Sequence, residues 1–174
     1  ILAVTRQHKL VDLEIEQQIN TEIVGCIYKG VVKNIVSAVD GIFVDIGIGK
    51  NAFLRRKDLL NEKRFPTEGS PILAQVIKSD TDMKGALITE KISMFGKYAV
   101  TLSGTGYIGV SKKIRQESVR KRLKEIGKEI CAEHMGLIIR TAAENADMDE
   151  FRKDITRLKE NWDIIQKRFR MEKS

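Results

Sequence analysis

The sequence predicts an α+β fold in which a small β-barrel is set into a unit of strands and helices. Five short strand-like segments follow one another within residues 23–91, each bounded by turn residues. A longer irregular segment separates the third from the fourth, which is the order of a five-stranded Greek-key barrel of the OB type. The last third of the chain changes to apolar residues at helical spacing. We therefore expect one barrel and one mixed unit.

The N-terminal segments "LAVT" and "KLVDLEIEQ" predict two short strands around a turn at residues 6–9. A lone hairpin is only marginally stable in water. We therefore expect this hairpin to pair with strands from residues 97–142.

The barrel is predicted from alternating apolar and polar residues divided by turn residues. The turns fall at Asp40 and Gly41, at Gly47 and Gly49, in residues 66–71, and in "SDTDMKG". The predicted strands are residues 23–36, 41–47, 51–55, 72–79 and 84–91.

The segments that follow predict strands and a helix. "YAVTL" and "YIGVS" predict a strand pair around residues 104–106, and "GLIIRTA" predicts a strand at residues 136–142. Between them, helical spacing relates Val119, Leu123, Ile126 and Ile130.

The closing helix has the clearest local pattern in the sequence. Asp147 and Glu150 suit its N-cap and third helical position. Such an aromatic-rich stripe is typical of a core, so Trp162 is predicted to be a core residue. The stripe comprises Phe151, Ile155, Leu158, Trp162, Ile165 and Phe169.

The charge favours an anionic partner. The chain has 31 Lys and Arg against 24 Asp and Glu, a net charge of +7, which suits nucleic acid. The basic run at residues 120–124 is interpreted as a solvated surface. No apolar run approaches the roughly 18 residues of a membrane span, so no membrane partner is expected.

The cysteines and histidines predict no special chemistry. Cys26 and Cys131 stand far apart, which fits neither a disulfide framework nor a metal motif and favours a reducing, cytosolic setting. His8 and His134 have no partner at useful spacing and are interpreted as structural or surface residues.

Two phenylalanines lie on the polar side of their predicted strands. In "GIFVDIGIGKNAFLRR", Ile42 and Val44 alternate with Phe43, and Phe53 shares its face with Arg55, close to Lys50. The outer face of the second and third strands is where OB folds bind oligonucleotides. Rings there stack on unpaired bases while cations contact phosphates. The alternative is that a loop or the second unit covers both rings.

Local metal and nucleotide motifs are absent. Asp80 and Asp82 lie in one predicted loop without a third ligand, so no metal site is predicted. "GIGK" at residues 47–50 is too short for a phosphate-binding loop.

Several motifs together resemble the ribonuclease E/ribonuclease G endoribonucleases. They occur in order as "IVGCIYKGVVKNIV", "GIFVDIGIGKNAFL", "KGALITEKISMFGKY", "IGVSKKI" and "MGLIIRTAAE". The resemblance implies an S1-type OB domain at residues 22–94, inserted into an RNase H-like α/β subdomain formed by residues 1–21 and 95–174.

The resemblance also implies residue roles. Phe43, Phe53 and Lys84 fall at RNA-contacting positions of the S1 domain. A pocket that senses an RNA 5′ monophosphate is implied at Gly96, Val100, Arg140 and Thr141. The family's paired arginines before the helix are Lys112 and Lys113 here, a change that keeps charge but gives up bidentate phosphate geometry.

The resemblance implies what a longer parent would contain. The family cleaves RNA with a divalent metal held by aspartates, and joins two chains through a zinc-binding motif, both further along. This sequence lacks an initiator Met and stops at Ser174. We expect it to be part of a longer, homo-oligomeric, Mg²⁺-dependent enzyme of the cytoplasm, bacterial or plastid. The part here is expected to bind 5′-monophosphorylated single-stranded RNA without cutting it and to hold no cofactor.

Two other functions stay open from the residues. One is a stand-alone S1-type module for single-stranded RNA, without enzymatic activity. The other is a protein-interaction surface in which Phe43 and Phe53 are a hydrophobic hot spot. A steep fall of affinity with salt would indicate phosphate contacts and exclude the last.

Overall fold

The structure is a computed structural model that describes residues 2–6, 9–14, 23–81, 84–131 and 135–171 of the chain. Its strands and α-helices in chain order are β1 (Leu2–Arg6), β2 (Lys9–Glu14), β3 (Ile27–Val36), β4 (Gly41–Asp45), β5 (Ala52–Arg55), β6 (Pro71–Lys78), β7 (Leu87–Thr89), β8 (Ser93–Phe95), β9 (Ala99–Ser103), β10 (Ile108–Val110), α1 (Glu117–Ile130), β11 (Met135–Ile139) and α2 (Met148–Met171).

Strands β3 to β7 form a closed barrel in the order β3-β4-β5-β7-β6, closed by pairing of β3 with β6. Only the β5–β7 pairing of this barrel is parallel. Alternation along each strand directs Ile42, Val44 and Leu54 into a fully buried core. The predicted five-stranded OB barrel is thereby confirmed, and so is the α+β class.

The second unit is a four-stranded sheet in the order β10-β11-β9-β8. Strand β10 runs parallel to β11, and α1 makes the connection between them, as a parallel neighbour requires. Strand β11 then pairs antiparallel with β9. The predicted strand pair around residues 104–106 is therefore wrong, because β11 lies between β9 and β10.

Helix α2 begins as predicted. The carboxylate of Asp147 accepts hydrogen bonds from the backbone N–H groups of Asp149 and Glu150, at 2.8 and 3.1 Å. Glu150 does not complete a capping box, since its carboxylate accepts bonds from the Tyr98 hydroxyl and the Lys97 ammonium.

The apolar stripe of α2 divides into two parts. Phe151, Ile155 and Leu158 are buried in the core of the second unit. Trp162 is only partly buried and lines a cleft of about 570 Å³ between α2 and the barrel, so its prediction as a core residue is wrong. The end of the stripe reaches the barrel, where the Lys29 ammonium donates to the Phe169 carbonyl at 2.9 Å.

Other predicted elements differ in extent or pairing. Among the described residues, β1 and β2 pair with each other and not with strands of residues 97–142, so that expectation is wrong. The strand predicted at residues 136–142 ends at Ile139, and Thr141–Ala143 form a short 3-10 helix. Strand β8 was not predicted.

Within the described part of the chain, neither helix is long and apolar enough to cross a membrane. Neither Cys26 nor Cys131 is in a disulfide bond; Cys26 is exposed and Cys131 is partly buried. The division into an S1-type domain at residues 22–94 and an RNase H-like subdomain at residues 1–21 and 95–174 stays a prediction.

Candidate nucleic-acid interface

Phe43 and Phe53 form a cross-strand pair on the outside of the barrel. They are register partners of β4 and β5, so their side chains leave the sheet on the same face. Their ring centroids lie 5.4 Å apart with the planes at 51°. Both rings are partly exposed. The structure thus places together the two rings that the sequence analysis singled out.

Gly41 makes room for one of these rings. A Cβ atom there would lie 2.3 Å from Cε2 and Cζ of Phe53, so the ring lies directly on the Gly41 backbone. From the sequence, Gly41 was predicted only as a turn residue at the start of a strand, with no role beside the rings. The available signal was that Gly41 lies two residues before Phe43, and so on the same face of β4, in the strand next to that of Phe53.

Two further side chains border the pair. Asn34 is the register partner of Phe43, and Leu87 is the parallel partner of Phe53. Asn34 is exposed and Leu87 partly so. They widen this surface, which we call the barrel platform (Asn34, Phe43, Phe53 and Leu87). Neither residue was identified from the sequence, because the pattern within one strand does not show which residues of the neighbouring strands lie beside it.

The cations predicted beside the rings are held by other groups. The Arg55 guanidinium pairs with the Asp58 carboxylate, and the Lys50 ammonium donates to the Thr81 carbonyl at 2.9 Å. Lys84 is exposed in the loop before β7. The charge of Arg55 is therefore partly compensated, whereas Lys84 presents its ammonium to solvent.

An acidic group also lies at the edge of this face. Asp45 pairs with Lys33 at 3.3 Å. A hydrogen bond from the Gly47 backbone N–H, followed by the Lys33 ammonium, holds the pKa of the Asp45 carboxyl below its usual value. This end of the face is thus an ion pair and not a free cation.

The residues predicted for a phosphate pocket come from three separate segments of the second unit. Arg140, just after β11, donates from Nη1 to the Gly96 carbonyl at 2.9 Å. Gly96 is buried, and its N–H donates to the Ala99 carbonyl at 2.8 Å. Val100 pairs in register with Ile138, two residues before Arg140, so the structure brings these three predicted residues together.

Asp154 of α2 fixes the turn that carries Gly96. Its carboxylate is almost fully buried and accepts bonds from the N–H groups of Lys97 and Tyr98, at 3.2 and 2.8 Å. A Cβ on residue 96 would lie 2.5 Å from Asp154 Oδ2, so only glycine lets α2 approach this closely. Asp154 was not among the residues predicted from the sequence.

An ion pair lies over the same turn. The Lys97 ammonium contacts Glu150 at 3.0 Å. Contact with the Tyr98 hydroxyl, followed by Glu150, raises the pKa of Lys97 to about 12. The same hydroxyl, followed by Lys97, lowers the pKa of Glu150. Both groups therefore stay charged at neutral pH.

Thr141 is joined to the loop before α1 by a pair of hydroxyls. Its Oγ1 lies 3.1 Å from Ser111 Oγ, which also accepts a bond from the Lys113 N–H at 3.3 Å. Lys112 and Lys113 are exposed in this turn. Arg120 of α1 holds the turn by donating to the carbonyls of Ser111 and Ile114, at 2.7 and 2.9 Å. Ser111 and Arg120 are thus additions to the predicted set.

The two sets of contacts meet at the neighbouring residues Arg140 and Thr141, and arginine, hydroxyl and lysine groups are those that bind phosphate in proteins. We call the predicted set the phosphate-type site (Gly96, Val100, Arg140, Thr141, Lys112 and Lys113). The described residues contain no cluster of three or more side chains able to hold a metal ion, and Asp82 lies outside them.

The barrel and its outward aromatic pair define the class of protein, one that carries an S1 RNA-binding domain. The family model described by that name matches residues 22–89. A second model, described as the Ribonuclease E/G family, matches residues 93–174 and so includes the phosphate-type site. The chain belongs to the ribonuclease E/G family.

Curated relatives agree with this family. Ribonuclease G of Escherichia coli (strain K12) is 35% identical over 91% of this chain and 36% of that protein. Ribonuclease G of Haemophilus influenzae is 34% identical over 96% of the chain and 38% of that protein. Ribonuclease E of Synechocystis sp. is 35% identical over 82% of the chain and 23% of that protein. The chain thus spans well under half the length of these relatives.

Proposed function

We propose that this chain is the RNA-binding and 5′-monophosphate-sensing part of a single-strand-specific endoribonuclease that acts in RNA processing and decay. The whole enzyme is proposed to be a cytoplasmic, Mg²⁺-dependent homo-oligomer. Its catalytic aspartates lie outside these residues in this proposal, so the chain alone binds RNA and does not cut it.

The observation that carries the proposal is the Phe43–Phe53 pair on the outer face of an S1 barrel. Rings 5.4 Å apart on neighbouring strands can each offer a face to an unpaired base. Stacking of this kind contributes roughly 1–3 kcal/mol per base and tolerates any sequence. Lys84, with Lys50 and Arg55 nearby, supplies the basic border for the backbone.

The second site supports the preference for a 5′ monophosphate. A terminal monophosphate carries roughly −1.5 to −2 charges and three strong acceptor oxygens. Arg140, the Thr141 hydroxyl and the lysines of the turn answer that chemistry, with Gly96 and Val100 at its border. Arg140 Nη1 donates to the Gly96 carbonyl, and the guanidinium has further N–H donors that can bind an anion.

The test compares two single-stranded RNAs that differ only at the 5′ end, hydroxyl or monophosphate, at one salt concentration. We expect the wild-type chain to bind the monophosphate more tightly, and Arg140→Ala to remove that preference. The matched control is Arg122→Ala, an exposed arginine on α1 outside the proposed site.

A second pair of variants tests the barrel. Phe43→Ala and Phe53→Ala are each expected to weaken binding of both RNAs, since stacking does not depend on the 5′ end. Equal binding of the two RNAs by the wild-type chain would contradict the sensor and leave a stand-alone S1-type RNA-binding module. Unchanged affinity in both phenylalanine variants would contradict the barrel platform.

A further inference from the structure

The four-stranded sheet of the second unit has an open face. The helices cover the opposite face, where Leu137 and Ile139 are buried. On the open face one residue from each strand falls in a single row across the sheet, by the registers of β8 with β9, β9 with β11 and β11 with β10. The row is Phe95, Val100, Ile138 and Gly109.

The row ends in an aromatic ring on both sides. Phe95 occupies the β8 end. At the β10 end, a Cβ on Gly109 would lie 2.7 Å from Tyr107 Cε1, so the Tyr107 ring lies over the glycine. Val100 and Ile138 connect the two rings with aliphatic surface. We call this row the open-face platform (Phe95, Val100, Ile138 and Tyr107).

The open-face platform is unusually exposed for its composition. Phe95 is 74% exposed, Tyr107 64% and Ile138 40%. Contiguous apolar surface of this kind marks interaction sites more often than scattered single residues do. The rings are also more accessible than Phe43 and Phe53, which are only partly exposed.

The surroundings of this face are basic. Arg140 continues β11 two residues beyond Ile138 in extended conformation. At the β10 end of the row, Tyr107 lines a shallow pocket of about 270 Å³ together with Lys112, Lys121 and Lys124. An apolar surface between cations suits single-stranded nucleic acid, whose bases stack while its phosphates contact cations.

We propose that the open face of this sheet is a second base-stacking platform for single-stranded RNA, with Phe95 and Tyr107 each stacking one base. A four-stranded sheet that binds RNA through aromatics on its open face is a known arrangement. The inference rests on RNA being the ligand, as in the proposed function. It adds a base-contacting surface that is separate from the barrel platform and shares Val100 with the phosphate-type site.

The test uses the 174-residue chain and a single-stranded RNA with a 5′ hydroxyl, so that contacts to a 5′-terminal phosphate do not contribute. Phe95→Ala and Tyr107→Ala are expected to weaken binding about 5- to 150-fold each, the range of one lost stack. Phe95→Trp keeps an aromatic ring at this position and is expected to bind the RNA about as tightly as wild type. Ile164→Ala, at a 50% exposed residue of α2, is the control and is expected to bind like wild type.

Removing one base of the RNA at a time separates stacking from other effects. Where the missing base is the one stacked on Phe95, the abasic RNA should bind wild type and Phe95→Ala equally. Thermal melting of each variant would show that the fold is unchanged. Phe43→Ala on the same RNA reports the barrel platform independently.

The outcomes distinguish the two proposals. Weaker binding by Phe43→Ala with unchanged binding by Phe95→Ala and Tyr107→Ala overturns the open-face platform alone, and would leave that face for a protein segment. No RNA binding by the wild-type chain overturns both. A loss in Phe95→Ala that persists for every abasic RNA overturns base stacking at Phe95.

Discussion

The barrel platform and the phosphate-type site are built in different ways. Phe43, Phe53 and Gly41 all belong to two consecutive strands, so one short hairpin positions both rings. The phosphate-type site draws Gly96, Arg140 and the turn with Ser111 from segments far apart in the chain. The first site depends on a local register, whereas the second depends on the packing of the whole second unit.

This difference predicts how each site fails. Changes in the core of the second unit should loosen the phosphate-type site and leave the barrel platform intact. Changes at the β4–β5 hairpin should do the reverse. Variants that act on only one site therefore test whether the two are independent.

The largest effect is expected from Asp154→Ala. It removes the acceptor of two N–H groups in the turn at Lys97 and Tyr98, where an unsatisfied buried donor costs about 1–3 kcal/mol. We expect the second unit to lose about 3 kcal/mol of stability, measured by denaturant unfolding, together with the preference for a 5′ monophosphate.

Asp163→Ala is the matched control for that variant. This aspartate lies on the same helix and forms only an exposed pair with Lys159 at 3.5 Å. Such pairs contribute little, so its unfolding should match wild type. If Asp154→Ala also unfolded like wild type, the turn would not depend on this carboxylate.

Gly41→Ala should affect only the barrel platform. The new Cβ collides with the Phe53 ring, and overpacking of this kind costs about 1–2 kcal/mol. We expect weaker binding of RNA with either 5′ end. In the double variant Gly41→Ala/Phe53→Leu, the smaller side chain should relieve most of the loss of stability caused by Gly41→Ala. If the effects of the two substitutions on stability simply added, the collision would not be the cause of that loss.

A smaller effect is expected from Arg120→Lys, which keeps the charge but replaces the rigid guanidinium fork by a single flexible ammonium that does not match its donor geometry. The turn with Ser111 and Lys113 then loses about 1 kcal/mol of hydrogen bonding. We expect the preference for a 5′ monophosphate to fall severalfold while affinity for the 5′-hydroxyl RNA stays the same. Arg122→Lys is the control, and an equal fall there would contradict a positioning role for Arg120.

The smallest effect concerns pH. The pKa of Glu150 is lowered in the folded state by the Tyr98 hydroxyl and Lys97, so its stabilising contribution is present above the ordinary value of 4.5 and is lost as pH falls through the folded pKa. The difference in melting temperature between wild type and Glu150→Gln should therefore shrink in acid, at low salt. A difference independent of pH would contradict the pair, and Glu160→Gln is the control.

Much of the fold could be predicted because its signals are local. The five barrel strands and α2 follow from alternation, turn residues and the Asp147 cap, all within short windows of sequence. The order of the second sheet could not be predicted in this way. A glycine-containing turn between β9 and β10 suggests a hairpin, but the crossover through α1 places β11 between them.

The site residues differ in the same way: those with a local sequence signal could be predicted, and those positioned by distant contacts could not. The facing of Phe43 and Phe53 was visible from alternation, but the support of Phe53 by Gly41 was not. Arg140 and Thr141 entered only through a family resemblance, because nothing local marks them. Asp154 and Ser111 were missed, since their partners lie 56 and 30 residues away.

The return of α2 to the barrel has a consequence for avidity. Its 24 residues span about 36 Å, and its last turn lies on the barrel through Lys29 and Phe169. One helix therefore tethers the two units to each other. For an RNA that touches both, the second contact is intramolecular, at an effective concentration set by the nucleotides between the contacts. RNA molecules too short to contact both units at once would lose this gain in affinity completely.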